Sequence, residues 1–584
     1  MLLEINTPMN PPHWALLERQ LLNAQTQACT EFYDHYFDEQ GYLLCVPRWG
    51  GDDGPDDAAE NQLNWTMLYA LGADDSLLNL FRIGFEGHLR QYTEAKTVDV
   101  PMAREGMYYR EFPASLDWFH HGEGYASYFL YGLCDPHDQR YLQRMRRWAA
   151  MYMGDDPHTP NYDPEHRVIR SLFNGSRGPM LRKATALDWA GDPIEVAGRF
   201  RLGHGEQSYQ QMLEHFREYT DVAGDSPLNM EATHLALIVY ALTGEQSYRD
   251  WLLQYVDAWV ERTKENNGII PSNIGLDGTI GGEAGGRWYG GCYGWAFTVT
   301  VPQTGKPAHR PAAYHRAHYG FSHGLLMTGS QSYVDIWRGV IDRVNENSKQ
   351  IDGQIMYPRM YGDDGWYDYR PQPFDSGALE VWYWSQDRQD LDRLNDNPWI
   401  GYLEGNDPGY PKRMLETELG QVREKIELMH RDTATADTRL SDDMNLINPA
   451  TSDTLNQLTL GGLPTGRNCH TLHCRLRYFD ATQRRAGLPQ DVGALVESMS
   501  DTDVTVTLIN LNPVHEQHMI VQGGAYSEHR LQKVTIEDQT TPVDTKYGQN
   551  QSAFAVRLAP GCGAKLQITM KRYANRPTLA FPWD

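Results

Sequence analysis

One unit of chain recurs through the first two-thirds of the sequence, and it restricts the fold more than any other feature. The stretches LYALGADDSLLNLF (68–81), LYGLCDPHDQRYLQRM (130–145), VYALTGEQSYRDWLLQYV (239–256) and LLMTGSQSYVDIWRGVI (325–341) share one plan. Each ends an apolar helix, crosses a short polar turn and starts an amphipathic helix anchored by Tyr or Leu. VWYWSQDRQDLDRL (381–394) is a weaker fifth copy. The first helix of each pair is apolar nearly all round, as a helix buried on every side must be. The second carries Arg140, Arg144, Arg249, Asp250 and Arg338, as an outer helix does.

This alternation predicts inner helices near 60–71, 122–133, 228–242, 289–299, 318–329 and 375–385. Outer helices fall near 14–37, 75–94, 137–152, 246–264, 331–347 and 388–395. Six such hairpins close into an (α/α)6 toroid over residues 1–405. Long Gly-, Pro- and Asp-rich loops (41–58, 96–121, 154–206, 266–288 and 349–374) precede inner helices or hairpins, so they gather at one end of the ring. Long ordered loops over a central hole form a ligand cleft. A charged helix and a polar linker occupy 406–465. Beyond them the period changes to two in HCRLRYF, VTVTLINL, HMIVQGGAY, EHRLQKVTI, SAFAVRLAP and AKLQITMKRY. That predicts a small antiparallel C-terminal β-sandwich over 466–584. The expected fold is mainly α with a β-domain.

By its hairpin pattern, over nearly the whole chain, this plan resembles the six-hairpin glycosidases, with the toroid polysaccharide lyases next nearest. The resemblance implies a carbohydrate-active enzyme. No family-specific catalytic signature is matched, so no residue role comes with it. The small β-domain favours the glycosidases. Sugar epimerases resemble the bare toroid. Terpene cyclases are also helical toroids, but GDDGPDD (51–57) reads here as a solvated acidic turn.

Composition narrows the partners. Trp 16 and Tyr 34 leave flat aromatic faces for sugar rings beyond those a core needs. A formal net charge of −25 argues against nucleic acid and against an anionic membrane surface. It does not exclude an acidic small substrate, because Arg can be concentrated locally. The seven scattered cysteines do not form a disulfide framework. The opening MLLEINTPMNPPHW lacks a basic region followed by an apolar one, so the chain as written reads as cytoplasmic unless a leader was removed. Assembly into a homo-oligomer stays open.

Glycoside hydrolysis needs one carboxylic acid to protonate the leaving oxygen and one carboxylate to act as base or nucleophile. Candidates are carboxylates at loop-to-inner-helix junctions: Asp117, Glu123, Glu231, Glu283 and Asp375, with Glu60 beside them. Glu123 lies between two glycines in HHGEGYAS, after His120 and His121; an acid there also suits a helix dipole. Glu231 lies in DSPLNMEATH with Asn229 and His234, inside an otherwise apolar helix, where a carboxylate is costly unless paired or functional. Glu283 lies in GTIGGEAGGRWYGGCYGW, where Arg287, Trp288, Tyr289 and Tyr293 offer an ion contact and stacking faces. AAYHRAHYGFSHG brings Tyr314, His315, Arg316 and His318 together. HExxH is absent, so this cluster predicts no metal. Histidine, Tyr and Arg also suit a β-elimination lyase, with Asn174, Arg177, Asn266 and Asn273 available to neutralise a uronate. Trp366, Tyr367 and Tyr369 could wall a sugar subsite, and Asp375 also suits a helix cap. NCHTLHC (468–474) has the wrong spacing for a zinc ribbon.

The expected activity is hydrolysis of an oligo- or polysaccharide, uronate-containing chains among the candidates, with Glu123 and Glu231 as first-choice carboxylates. Asp117, Glu283 and His318 complete the catalytic candidates. The chemistry needs no cofactor. The alternatives are a polysaccharide lyase acting through His and Tyr, and a non-catalytic glycan-binding scaffold.

Overall fold

Gly244 and Gly329 explain the repeated turn. They end two apolar helices at φ 72° and 71°, in the left-handed region where a glycine carries no Cβ penalty. The computed structural model describes residues 1–49, 54–96, 103–182, 222–291, 293–296, 298–301, 306–309, 316–466, 470–537, 539–548 and 550–584. The helices that matter here are α1 His13–Tyr36, α2 Pro55–Ala59, α3 Trp65–Leu71, α4 Asp75–Glu94, α5 Trp118–Phe129, α6 Gln139–Met153 and α7 Thr233–Thr243. They continue with α8 Gln246–Glu265, α9 Ala317–Thr328, α10 Ser332–Asn345, α11 Ala378–Ser385, α12 Pro398–Leu403, α13 Tyr410–Arg431 and α14 Asp453–Leu460.

Among the described residues, six inner positions are filled by α2–α3, α5, α7, α9, α11 and α14. Neighbours touch in that order: α3 on α5, α7 on α9, and α14 back on α3. Phe129 meets His234 between α5 and α7, Tyr319 donates to Glu380 between α9 and α11, and Tyr383 donates to Gly461 O beside α14. Helices α4, α6, α8 and α10 follow their inner partners on the outside, where α1 packs along α13. Two outer helices start with side-chain caps: Asp74 accepts from Ser76 N ahead of α4, and Asp138 from Arg140 N and Tyr141 N ahead of α6. No helix among the described residues is long and apolar enough to cross a membrane.

Two expected helices are corrected. Residues 289–299 form no inner helix. The dense glycines hold a loop through Trp295, and Thr298–Val301 pairs as a strand with Lys306–His309. The sixth inner position belongs instead to α14, inside the stretch expected to be linker. The segment expected as a helix near 388–395 is a 3-10 turn, Arg388–Arg393.

The sheet region uses β1 Leu2–Ile5, β2 Leu476–Asp480, β3 Arg485–Ala486, β4 Val492–Met499 and β5 Asp503–Asn510. It continues with β6 Gln517–Gly523, β7 Arg530–Ile536, β8 Gln539–Pro542, β9 Ala553–Leu558 and β10 Gly563–Lys571. One sheet has the order β1-β9-β6-β2-β3 and the other β4-β5-β10-β7-β8. β1 comes from the far end of the chain and pairs in parallel with β9, Leu2 opposite Ala555. β4 touches α1, α12 and α14. Glu18 of α1 is the joint: it accepts from Thr459 Oγ1 at 2.6 Å and from Ala494 N at 3.1 Å.

The ring is not hollow. The segment from His470 to Cys474 enters it between α14 and β2. Thr471 Oγ1 lies 2.9 Å from His234 Nδ1 on α7 and 2.5 Å from His323 Nε2 on α9. His323 Nδ1 lies 2.6 Å from Thr233 Oγ1. His473 Nε2 lies 3.1 Å from Ser322 Oγ, and its ring lies 5.3 Å from that of Trp384 on α11. Thr471, His234, His323 and His473 are all buried. This polar strap closes the hole from below.

Two consequences are measurable. Burial lowers His234 to about 4 and His473 to about 3, so both stay neutral in the fold. The unfolded chain takes up these protons near pH ~6.5. The stabilisation is therefore present above that pH and lost as pH falls towards 4. The calorimetric midpoint should drop across that window; a flat profile counts against the neutral strap. Thr471→Val removes the hydroxyl from two buried rings, and each group left unpartnered costs about 1–3 kcal/mol. The variant should melt below the parent, with Thr471→Ser in between.

Candidate active site

Above the strap, five of the six inner positions, α2, α5, α7, α9 and α11, bring ionisable groups from their N-terminal ends. In α2, Gly54 and Pro55 start a helix, and its first turn holds Asp56, only 6% exposed. The expected solvated turn is thus corrected: burial, with Glu123 and Asp117 close by, lifts Asp56 to about 6, and His120 partly offsets this. Gly124 allows the approach, because a Cβ there would stand 2.8 Å from Asp56 Cα.

Asp117 is the cap of α5. Its Oδ1 accepts from His120 N at 3.1 Å and faces His120 Nδ1 at 2.8 Å. Burial opposes charge on both partners. Their mutual attraction wins: His120 is held well above its ordinary range and Asp117 below its own. His120 is thus an imidazolium facing Asp56 and Glu123, and Asp117 orients it.

Glu123 stands one helical turn on. Arg316, the residue before α9, places its Nη2 3.8 Å from Glu123 Oε1. The guanidinium lies over the Phe119 ring, 3.7 Å from its centroid, and Phe119 stacks on Tyr293 at 5.6 Å. Glu231 closes the group from the 3-10 turn Pro227–Ala232 that enters α7. It is 6% exposed, and neither carboxyl oxygen has a hydrogen-bond partner among the described residues. Burial lifts it to about 8, against the pull of Arg316 and with the push of Glu123.

The opposite wall carries a second group. His318 Nε2 lies 4.0 Å from Glu380 Oε1, and the Tyr319 hydroxyl donates to the same oxygen at 3.1 Å. His470 of the strap stacks on Tyr319 at 3.8 Å. Burial raises Glu380 above the usual carboxylate range.

The structure therefore brings together Glu123, Glu231, Asp117, His120 and His318. Tyr293 joins this group through Phe119, and the other expected residues that the structure describes lie elsewhere. His121 is fully buried, with Nε2 2.9 Å from Asn174 O, and its ring stacks on Phe112. Asn229 is fully buried and donates to Asp225 and Ser171 O. Glu283 is exposed on a 3-10 turn, accepting from Leu276 N. Arg287 is exposed beside Asp363, which also accepts from Tyr289. Trp288 and Trp366 both contact Tyr361 and line a shallow cleft of about 350 Å³ at the rim. Asp375 accepts from Asn395. Tyr314 and His315 lie outside the described residues, as does Cys469 of NCHTLHC. Asp56, Tyr319, Glu380 and His470 are additions to the candidate set, and Arg316 takes a larger part than its sequence context suggests. The Gly-Pro helix start was the available signal for Asp56, and the first turn of α11 for Glu380. His470 lies in NCHTLHC of the expected β-domain, a stretch read there only against a zinc ribbon. Among the described residues, no three ligating side chains converge on a metal position.

Among solved structures, the chain is similar to a cellobiose 2-epimerase from Bacillus thermoamylovorans, with 8% identity over 65% of this chain and 85% of that one, at a TM-score of 0.36. A β-1,3-1,4-glucanase from a Paenibacillus species matches with 11% identity over 76% and 94% of the two chains, at a TM-score of 0.33. An α-1,6-mannanase from a Salegentibacter species, in complex with α-1,6-mannotriose, matches with 11% identity over 75% and 99%, at 0.30. A search of the curated proteins gives no match. Residues 3–355 and 395–456 match the family described as "Domain of unknown function (DUF8034)", and the chain belongs to that family.

Proposed function

We propose that this protein is a glycoside hydrolase built on an (α/α)6 toroid with an appended β-sandwich, Glu231 donating the proton and Glu123 acting as its carboxylate partner. One observation carries the reading: two neighbouring carboxyl groups have opposite environments. Glu231, lifted by burial to about 8, holds its proton at neutral pH. Glu123 is ion-paired with Arg316. A carboxyl that keeps its proton beside a second carboxyl paired with an arginine suits an acid and its partner.

In the proposed step the Glu231 proton passes to the glycosidic oxygen as the bond from that oxygen to the anomeric carbon breaks. The Glu123 carboxylate either takes a proton from the attacking water or attacks the anomeric carbon itself, and water then releases the sugar. Arg316 positions Glu123, and the Phe119 ring beneath the guanidinium fixes that position. The His120 imidazolium, oriented by Asp117, offsets the negative charge of Asp56 and Glu123. Any carbohydrate chain bearing an accessible glycosidic bond fits this chemistry, uronate-bearing chains included.

A β-elimination route fits less well. Of its His and Tyr candidates, Tyr314 and His315 lie outside the described residues, and for Tyr319 burial with the Glu380 carboxyl beside it holds the phenol well above its ordinary value. A phenol of that kind does not remove a carbon-bound proton at neutral pH.

The test is turnover of plant, algal and animal glycans with products weighed by mass spectrometry. Hydrolysis adds one water per cleavage. An unsaturated product without added water overturns the assignment, and no turnover of any glycan favours a binding scaffold. On a cleaved glycan, kcat/KM should fall above pH ~8 as Glu231 loses its proton. Glu231→Gln and Glu123→Gln should each reduce kcat by about 10²-fold or more. The alkaline limb should vanish in the residual activity of Glu231→Gln. Full turnover in both variants would mean the carboxylates lie elsewhere.

A further inference from the structure

On a chain with a net charge of −25, one cleft gathers arginines. It lies between two loops on the side of the ring that carries Glu123. Residues 113–116 and 174–177 are zipped by backbone bonds: Leu116 N to Asn174 O at 2.9 Å, Asn174 N to Leu116 O at 3.0 Å, and Arg177 N to Ala114 O at 3.1 Å. Gly175 permits this, since a Cβ there would stand 2.3 Å from Pro113 O. The cleft beside this seam has a volume of about 340 Å³, and among the described residues Arg104, Arg177 and Arg182 line it against one carboxylate, that of Glu105.

Two details mark it as more than a charged surface. Arg177 is braced: its guanidinium lies 4.5 Å from the centroid of the Tyr109 ring. Its ion pair with Glu105, at 2.7 Å, is exposed on both sides, and exposed pairs are weak enough for an incoming anion to replace. Beneath it, Ser115 also lines the cleft. It is 8% exposed, and its hydroxyl has no hydrogen-bond partner among the described residues. A buried hydroxyl without a partner beside arginines is a donor set for an oxyanion. Ser115 lies two residues before Asp117, the cap of the helix that bears His120 and Glu123, so the seam joins this cleft to the candidate active site.

We infer that this cleft is a subsite for an acidic sugar unit, holding a carboxylate or a sulfate ester through Arg104, Arg177 and the Ser115 hydroxyl. The inference rests on the glycan reading and narrows it to anionic chains. Guanidinium forks match the paired oxygens of either group.

Calorimetric titration of the full-length Glu231→Gln variant separates the cases. The ligands are an oligogalacturonate, a sulfated galactan oligosaccharide and a neutral cello-oligosaccharide. At least one acidic ligand should bind more tightly than the neutral one, with affinity that falls as salt is added. Which one binds distinguishes carboxylate from sulfate. Adding Arg104→Gln and Arg177→Gln should weaken it about tenfold or more and leave neutral-ligand binding unchanged. Ser115→Ala, a smaller change, should weaken it in the same direction. Equal binding of all three ligands, or acidic binding untouched by the arginine variants, overturns the subsite. Arginine-dependent acidic binding without turnover of any glycan by the parent leaves the subsite standing and removes the hydrolase. Turnover of neutral glycans with no acidic binding does the reverse.

Discussion

The hydroxyl of Thr471, held between the imidazoles of His234 and His323, turns a ring of helices into a cup. A ring of six inner helices leaves a hole that side chains alone fill poorly. Here a backbone segment crosses it, and its polar groups find partners on α7 and α9. Water is thereby excluded from below, and the groups above the strap meet solvent from one side only. Glu231, on the turn that leads into the helix bearing His234, keeps its proton because of that exclusion.

Burial acts on every acid in the cup, yet the acids respond differently, and the partners decide. Asp117 accepts from a backbone amide and faces an imidazolium, so it stays charged. Asp56 has the pull of His120 and a hydrogen bond from its own backbone amide against burial and two neighbouring carboxylates, and it rises to about 6. Glu231 has no hydrogen-bond donor among the described residues and rises further. A gradient of proton affinity thus arises within one small volume, from hydrogen-bond supply rather than from exposure.

Much of the helical plan is readable in the chain, because its signals are local. The glycines at 244 and 329, the polar turns and the shift from all-round apolar to amphipathic helices need no knowledge of distant partners. What stays hidden depends on contacts far along the sequence. Helix α14 is short and its Asn456 and Thr459 are buried polar residues, so it reads as linker; only the ring makes it an inner helix. Strand β4 has no alternation in its first five residues, all of them buried, in a strand on which α1, α12 and α14 pack. Of the cup, His120 and Glu123 are legible as a cluster, but the direction of each is not. Between adjacent His120 and His121, one helical step sends one ring to Asp117 and the cleft and the other to Asn174 and the core. Asp56 hides in an acidic run whose composition equally describes a solvated turn.

Strand β1 and the strap carry a consequence for how the molecule comes into being. Residues 2–5 find their pairing partners only after position 558 has been made. The floor of the cup arrives after position 473. The earlier hairpins of the ring can form before the strap, but none of them encloses anything until residues 470–474 emerge. Until then the nascent protein carries these acids in the open, wetted and unassembled. The enclosure that shifts their proton affinities begins only once the strap is in place.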